Sequence, residues 1–244
     1  MNFLVIRLKE TDSTNNYLKE LIRSGDVKEG TVIRSEIQTS GRGQQGNRWE
    51  SEEGKNLLFS IVLYPNTIKA SQQFIISQLV SLAVKHTLDK YTHDITIKWP
   101  NDIYWQEKKI CGILIENTLM EDNIGQSVIG AGININQDNF ITDAPNPISL
   151  KQITGAEYDM DEILESVYSF IMEYYSDIRA GRISHIIEDY KSSLFRNTGY
   201  YLYDDGINIF GAKIKDIRPT GLLVLETRDG IEREFAFKEV KYIL

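Results

Sequence analysis

The sequence has little cysteine, proline and histidine, and it has no long apolar run. Its 244 residues include one cysteine, five prolines and three histidines. A single cysteine excludes an internal disulfide framework. No stretch approaches the roughly 18 consecutive apolar residues of a membrane span, and charge interrupts the N-terminal residues too soon for a signal peptide. These absences predict a cytoplasmic protein that does not enter a membrane.

Basic residues are outnumbered by acidic ones. Lysine and arginine total 27 against 35 aspartates and glutamates, which gives a formal net charge of -8. A surface that follows nucleic-acid phosphates needs clustered lysine and arginine, so this balance argues against a nucleic-acid partner. The length is enough for one substantial domain and a small one.

The apolar spacing predicts an α+β fold. Residues 12–15 offer capping side chains before a first helix, and residues 71–90, 161–180 and 183–194 have helical spacing. Apolar, β-branched runs predict strands at 3–8, 31–37, 57–64, 95–98, 103–105, 110–117 and 127–135. Several of these strands follow one another through short turns, so we expect a mixed sheet rather than a doubly wound parallel one.

The pattern changes near Arg196. Short predicted strands separated by Asp-Gly and Pro-Thr-Gly turns occupy the remaining fifty or so residues. Such a pattern is typical of a small SH3-like β-barrel. We therefore predict a large N-terminal domain at 1–195 and a small C-terminal domain at 196–244.

A glycine-rich stretch separates two of the predicted strands. Residues 41–46 read GRGQQG, which matches the G-x-G-x-x-G dinucleotide fingerprint. That fingerprint opens a helix, whereas this stretch leads to another strand, so the match does not indicate an oxidoreductase. A flexible surface loop is one interpretation. Arg42 between two glycines favours another, because bare backbone N–H groups and a guanidinium together bind phosphate or carboxylate.

A second polar stretch begins at the end of a predicted strand. Residues 98–102 read KWPND, and proline with Asn-Asp is also ordinary turn chemistry. Lys109 then stands at the mouth of an apolar strand, where its ammonium would face an anion, and Gly112 would admit a ligand close to the backbone. Residues 130–136 read GAGININ, which fits either close backbone approach to a polar ligand or a plain strand end.

Taken together, these segments resemble the catalytic core of biotin–protein ligases. The resemblance spans roughly residues 10–136, and its segments fall in the family's order: DSTN at 12–15, Gln38, GRG at 41–43, GNRW at 46–49, KWPND at 98–102, Lys109 with Gly112, and GAGIN at 130–134. The family implies a mixed sheet flanked by helices, related to class II aminoacyl-tRNA synthetases, followed by an SH3-like domain.

The resemblance implies a reaction in two steps. The carboxylate of biotin attacks the α-phosphate of ATP, with Mg²⁺ accompanying the nucleotide, and gives biotinyl-5′-AMP and pyrophosphate. A lysine of a biotin carboxyl carrier domain then takes the biotinyl group and releases AMP. The implied partners are therefore biotin, ATP and the carrier, with no metal site of the protein's own. The chain is expected to be a monomer or a homodimer.

The resemblance also assigns residues. It implies catalytic roles for Arg42, Lys109 and Asp102, with Asp102 orienting the acceptor ammonium or accepting its proton. The residues implied for biotin are Ser13, Thr14, Asn15, Gln38, Arg42, Gly43, Gln44, Trp49, Lys109 and Gly112. Those implied for the nucleotide are Arg42, Arg48, Lys98, Asn101 and Asn134.

Two departures from the family pattern bear on these expectations. Many bacterial relatives have a second arginine where this chain has Gln44, which puts tight retention of the adenylate in doubt. No aromatic residue for the adenine is obvious, and Phe140 is our candidate. The catalytic pattern begins within about a dozen residues, so we expect a ligase without a DNA-binding repressor role. A lipoate ligase-like acyltransferase and a non-catalytic biotin sensor are the alternatives.

Overall fold

Seven strands form one mixed sheet. The computed structural model describes residues 3–44, 48–140 and 146–243. The strands of this sheet are β1 (Val5–Thr11), β2 (Val32–Gln38), β3 (Leu57–Leu63), β4 (Ile95–Lys98), β5 (Asp102–Trp105), β6 (Lys108–Met120) and β7 (Asn123–Ile133). Their order across the sheet is β1-β2-β3-β7-β6-β5-β4. The β1–β2 pair is parallel, and every other neighbouring pair is antiparallel.

Helices cover both faces of this sheet. They are α1 (Thr14–Ser24), α2 (Phe74–Leu88), α3 (Leu150–Thr154), α4 (Met160–Arg179) and α5 (Ser184–Ser192). Helix α1 packs on β2, β3 and β7, whereas α2 packs on β4, β5 and β6 with α4 and α5 behind it. All seven residues of β3 are buried, as expected for a strand that is covered on both faces. No helix within the described residues is long and apolar enough to cross a membrane.

The two faces of the sheet have separate apolar cores. Leu18 of α1 packs with Ile33, Val62 and Val128 on one face, and a much larger cluster fills the other. Neighbouring residues of a strand point to opposite faces, so Val62 joins the small core while Ile61 joins the large one. The thin apolar cover on the α1 face leaves room there for polar groups.

A second sheet follows the helices. It contains β8 (Tyr201–Asp204), β9 (Ile209–Ile217), β10 (Leu223–Thr227), β11 (Glu232–Phe235) and β12 (Lys241–Tyr242), in the order β11-β10-β9-β8-β12. All its pairs are antiparallel. The predicted fold class, a mixed sheet flanked by helices and followed by a second antiparallel sheet, is therefore confirmed. The domain boundary at 196 stays a prediction.

The differences from the predicted elements are small and have local causes. Helix α2 begins at Phe74 because residues Ala70–Gln72 form a separate 3₁₀ turn. Helix α3, which the sequence analysis missed, has five residues and is too short to show a period. A capping box fixes its start, since the Ser149 hydroxyl accepts a bond from the Gln152 N–H while the Gln152 side chain binds the Ser149 N–H.

Candidate functional site

Glycines on β6 and β7 make a bare patch on the α1 face of the main sheet. Gly112 lies opposite Gly132, and Leu114 lies opposite Gly130. Because side chains alternate along a strand, these four residues share one face. Three of them carry no side chain, so side chains from α1 and from the loop that follows β2 can lie directly against the sheet backbone. This patch is the floor of the site.

The N-terminus of α1 forms one wall of the site and is tied to β2 by Gln38. Ser13 occupies the N-cap position but makes no side-chain cap bond. Instead, the N–H and the hydroxyl of Thr14 both donate to Gln38 Oε1, at 2.8 and 3.1 Å. The prediction that residues 12–15 supply the cap is therefore wrong, because the capping oxygen comes from the last residue of β2.

Asn15 is fixed on the floor by its neighbours. Its Oδ1 accepts from Ser60 Oγ at 2.6 Å, and its Nδ2 donates to Glu116 Oε2 at 2.9 Å. A Cβ added to Gly130 would collide with Asn15 Oδ1 and lie 3.0 Å from its Cγ. Gly130 is therefore required for the amide to lie where it does.

Arg42 extends over the site from the loop after β2, and two groups orient it. Its Nη1 donates to Asn16 Oδ1 at 2.7 Å, and its Nη2 pairs with Glu116 Oε1 at 2.8 Å. The side chain remains 40% exposed. A guanidinium that is fixed at two nitrogens but open to solvent is ready to bind an anion with its remaining N–H groups.

Lys109 is a second cation in the lining of the same cleft. Lys109 Nζ pairs with Asp102 Oδ1 at 2.7 Å and lies 5.9 Å from the centre of the Trp49 ring. Asp102 is placed by the β5–β6 pairing, which sets it opposite Gly112. The predicted catalytic residues Arg42, Lys109 and Asp102 thus come together around one floor.

Trp49 covers that floor. Its Nε1 would lie 2.5 Å from a Cβ on Gly132, and its Cζ3 would lie 2.9 Å from a Cβ on Gly112. The backbone of Trp49 is held in turn by Gly41, whose carbonyl accepts the Trp49 N–H at 2.9 Å. A Cβ on Gly41 would collide with the Trp49 carbonyl. The loop can therefore pack in this way only with a glycine at position 41, whereas Gly43 lines the cleft.

The cleft as a whole collects most of the predicted site. Its lining consists of Ser13, Thr14, Asn15, Gln38, Arg42, Gly43, Gln44, Arg48, Trp49, Asn101, Asp102, Lys109, Gly112, Ile113, Leu114, Gly130, Ala131, Gly132 and Phe237. Every residue predicted to bind biotin is in this set. Phe237 comes from the segment after β11, so the C-terminal part of the chain also contributes to the cleft.

Two residues predicted to bind the nucleotide, Lys98 and Asn134, lie outside this lining. Lys98 Nζ donates to the Tyr104 hydroxyl at 3.0 Å, and burial lowers the pKa of the ammonium although Asp102 acts to raise it. Asn134 is buried, and its Nδ2 donates to the Ile148 carbonyl at 3.1 Å while its Oδ1 has no partner. Their nucleotide roles stay predictions.

Other predicted residues have different placements. Asn101 does line the cleft, and its Nδ2 donates to the Ile113 carbonyl. Phe140, our candidate for the adenine, is absent from the lining. Gly46 and Asn47 of the GNRW segment lie outside the described residues.

The sequence analysis missed Asn16, Ser60, Glu116 and Phe237. Glu116 was detectable, because it follows Gly112 and Leu114 at steps of two along one strand and must share their face. Phe237 carries no such signal, because only the packing of the second sheet places it at the cleft. No cluster of three or more histidine, cysteine, aspartate or glutamate side chains suited to a metal ion occurs within the described residues.

Known proteins share this sequence pattern and this fold. The sequence profile of the Biotin/lipoate A/B protein ligase family matches residues 8–134. The chain is 30% identical over 233 residues to "Bifunctional ligase/repressor BirA" of Bacillus spizizenii, covering 92% of this chain and 70% of that protein. The Escherichia coli protein of the same name is 39% identical over 125 residues, which cover 51% of this chain and 38% of that protein.

Solved structures give the same result. The biotin protein ligase from Aquifex aeolicus in complex with biotin and ATP superposes with a TM-score of 0.81 at 28% identity. That match covers 98% of this chain and 99% of the Aquifex chain. The similarity therefore includes the second sheet as well as the main one.

Proposed function

Since the chain belongs to the Biotin/lipoate A/B protein ligase family, we propose that it is a biotin–protein ligase. It activates biotin with ATP and transfers the biotinyl group to a lysine of a biotin carboxyl carrier domain. The observation that carries this proposal is the pair of cations, Arg42 and Lys109, that line one cleft with the floor glycines and are each held by a carboxylate.

Two anions meet in the first step, and the cleft supplies cations for them. A carboxylate oxygen of biotin forms a bond to the α-phosphorus of ATP while the bond to pyrophosphate breaks. Arg42 and Lys109 stabilise the negative charge that develops, and both are already held by carboxylates, so little reorganisation is needed. Mg²⁺ enters as the ion that accompanies the ATP phosphates, which is its usual mode of binding.

The second step needs a neutral amine. The acceptor ammonium loses a proton, its nitrogen attacks the acyl carbon, and the bond to AMP breaks. Asp102 lines the cleft and is one-third exposed, so an approaching lysine has access to its carboxylate. We assign Asp102 to orient this ammonium and receive its proton.

Biotin is bound along the floor in this proposal. Thr14, Asn15 and Gln38 surround the bicyclic urea, and Trp49 provides an apolar wall. Arg42, Arg48 and Asn101 face the adenylate. The domain division at 196, a monomeric or dimeric state and a cytoplasmic location belong to the same proposal and rest on the sequence.

The test is the intact mass of an apo biotin carrier domain after incubation with the protein and MgATP. Parallel reactions contain biotin, lipoate or neither acid. One biotinyl addition, only in the biotin reaction, supports the proposal. Addition of lipoyl instead would assign the chain to lipoate transfer, and tight biotin binding without any addition would indicate a sensor.

Variants then test the residues. Arg42→Ala and Lys109→Ala should each abolish most of the biotinyl addition. Arg182→Ala is a matched control, because Arg182 also pairs with a carboxylate, Asp177, but lies outside the cleft lining. This control should modify the carrier at the rate of the unaltered protein.

A further inference from the structure

Glu116 gathers donors from two different parts of the site. It lies on β6 beyond Gly112 and Leu114, and its side chain is 22% exposed. One carboxylate oxygen binds both Lys19 and Arg42, and the other accepts from Asn15 Nδ2. Lys19 and Asn15 belong to α1, whereas Arg42 belongs to the loop after β2, so this carboxylate joins the two walls of the cleft.

Glu116 stays charged despite its partial burial. Burial acts to raise the pKa of the carboxyl, but the hydrogen bonds from Lys19, Asn15 and Arg42 outweigh it and lower the pKa below its usual value. In the two proposed steps Glu116 holds Arg42 but contacts no reacting atom. A charge that is kept so close to a ligand site without a chemical task calls for another explanation.

The Glu116 carboxylate, at 2.9 Å, and the Leu114 carbonyl, at 3.5 Å, both accept from the Asn15 NH₂ group and determine which way the amide faces. An ionised carboxylate only accepts hydrogen bonds, so the Asn15 NH₂ group must point to Glu116. The carbonyl Oδ1 then points to Ser60 and Gly130. The reversed amide would place two acceptors against each other. Glu116 therefore fixes the position of an acceptor on the floor of the cleft.

The same carboxylate limits the motion of Arg42. Arginine has a long flexible side chain, and fixing it in one position when a ligand binds costs side-chain entropy. Here the bonds to Glu116 and Asn16 hold two of its nitrogens through groups of the protein itself. The guanidinium plane, and with it the remaining N–H groups, is therefore held in one orientation.

We propose that Glu116 is a positioning residue. It holds Asn15 where the urea of biotin binds and holds Arg42 where the carboxylate of biotin binds. The inference rests on the proposed function. Biotin would then meet an acceptor and a cation that are already at a fixed separation. Such preorganisation increases affinity without any contact between Glu116 and the ligand.

The test is calorimetric measurement of the biotin dissociation constant. Glu116→Gln keeps the shape of the side chain but removes its charge, and should weaken biotin binding at least tenfold. Glu226→Gln is the matched control, because Glu226 also lies on a strand, β10, and binds two cations, Lys213 and Lys215. It should change biotin affinity less than twofold.

A combined variant separates positioning from a general structural effect. In an Asn15→Ala/Arg42→Ala background, Glu116→Gln should change the residual affinity less than threefold, because the groups on which it acts are gone. An undiminished tenfold effect in that background would overturn the inference.

Lys19 gives a second, independent variant if Glu116→Gln does not fold. Lys19 touches Glu116 but does not line the cleft. Lys19→Met should weaken biotin binding two- to fivefold by loosening the carboxylate, and unchanged affinity in this variant would overturn the inference. The unaltered protein separates the two proposals. If it fails to bind biotin, the proposed function is wrong. If it binds biotin and the variants Glu116→Gln and Lys19→Met bind equally well, only the role of Glu116 is wrong.

Discussion

The indole of Trp49 lies against Gly132, with Nε1 2.5 Å from the position of a Cβ on that glycine. A Cβ on Gly112, the cross-strand partner of Gly132, would lie 2.9 Å from Cζ3 of the same indole. Real Cβ atoms do not approach other atoms so closely. The position of Trp49 therefore depends on two glycines that face each other across β6 and β7.

We expect Gly132→Ala to displace Trp49 and to weaken biotin binding about tenfold. The indole is half-buried on a loop and can move, so overpacking should be largely relieved and the thermal midpoint should change by no more than about 3 °C. Calorimetry and a thermal melt measure the two effects. Gly211→Ala is the control, because Gly211 lies in strand β9 with no atom within 4 Å of its Cβ position; equal biotin affinities in the two variants would contradict this role of Trp49.

Gly130→Ala should behave differently from Gly132→Ala. The new methyl group would meet the Asn15 amide, which is buried and held by Ser60 and Glu116, so the neighbour cannot move aside. We expect a loss of about 1–3 kcal/mol of unfolding free energy in addition to weaker biotin binding. Urea denaturation at pH 7 measures the loss. A destabilisation no greater than that of Gly132→Ala would contradict the rigidity assigned to Asn15.

Local sequence predicted those parts of the site that local chemistry specifies. Arg42 between glycines, Lys109 at the start of a strand and Gly112 within it each carry a signal in their neighbours, and all three line the cleft. Apolar, β-branched runs also indicated the strands that form the floor. Charge type and apolar runs are properties of a few adjacent residues, so one sequence is enough to identify them.

The rest of the site depends on contacts between distant segments. The cap of α1 comes from Gln38, 24 residues away from Thr14, and no pattern near Ser13 reveals that its hydroxyl is not used. Phe237 reaches the cleft through the packing of the second sheet. Lys98 is predicted to bind the nucleotide because of its place in the KWPND segment, and this role stays a prediction. Its ammonium contacts the hydroxyl and the ring of Tyr104, which the local sequence does not indicate.

Asp102→Asn should separate the two chemical steps. The asparagine cannot take the proton of the acceptor ammonium, so transfer from preformed biotinyl-5′-AMP should fall about 10²- to 10⁴-fold. Asp102 also holds Lys109 at 2.7 Å, and adenylate formation should therefore fall as well, but by a smaller factor. Pyrophosphate exchange into ATP measures the first step, and single-turnover transfer measures the second.

Lys109→Ala is the complementary variant. It removes a cation from the developing charge, so we expect adenylate formation to fall about 10²- to 10³-fold. Transfer should be affected less than in Asp102→Asn. If both variants lowered both steps by the same factors, Asp102 would act only by holding Lys109, and its assignment to the acceptor proton would be wrong.

The second sheet should lose stability in acid through Glu226. Hydrogen bonds from Lys213 and Lys215 lower the pKa of this carboxyl from 4.5 to about 2. A lowered pKa in the folded state means that the ionised group stabilises the fold above pH 4.5 and that this contribution disappears as the pH falls toward 2. Thermal melts of the unaltered protein and of Glu226→Gln at several pH values measure it. At pH 6 the thermal midpoint of the unaltered protein should be higher than that of Glu226→Gln, and this difference should disappear as the pH falls from 4.5 toward 2. A difference that is constant from pH 6 to pH 2 would mean that the two lysines do not stabilise the charge of Glu226.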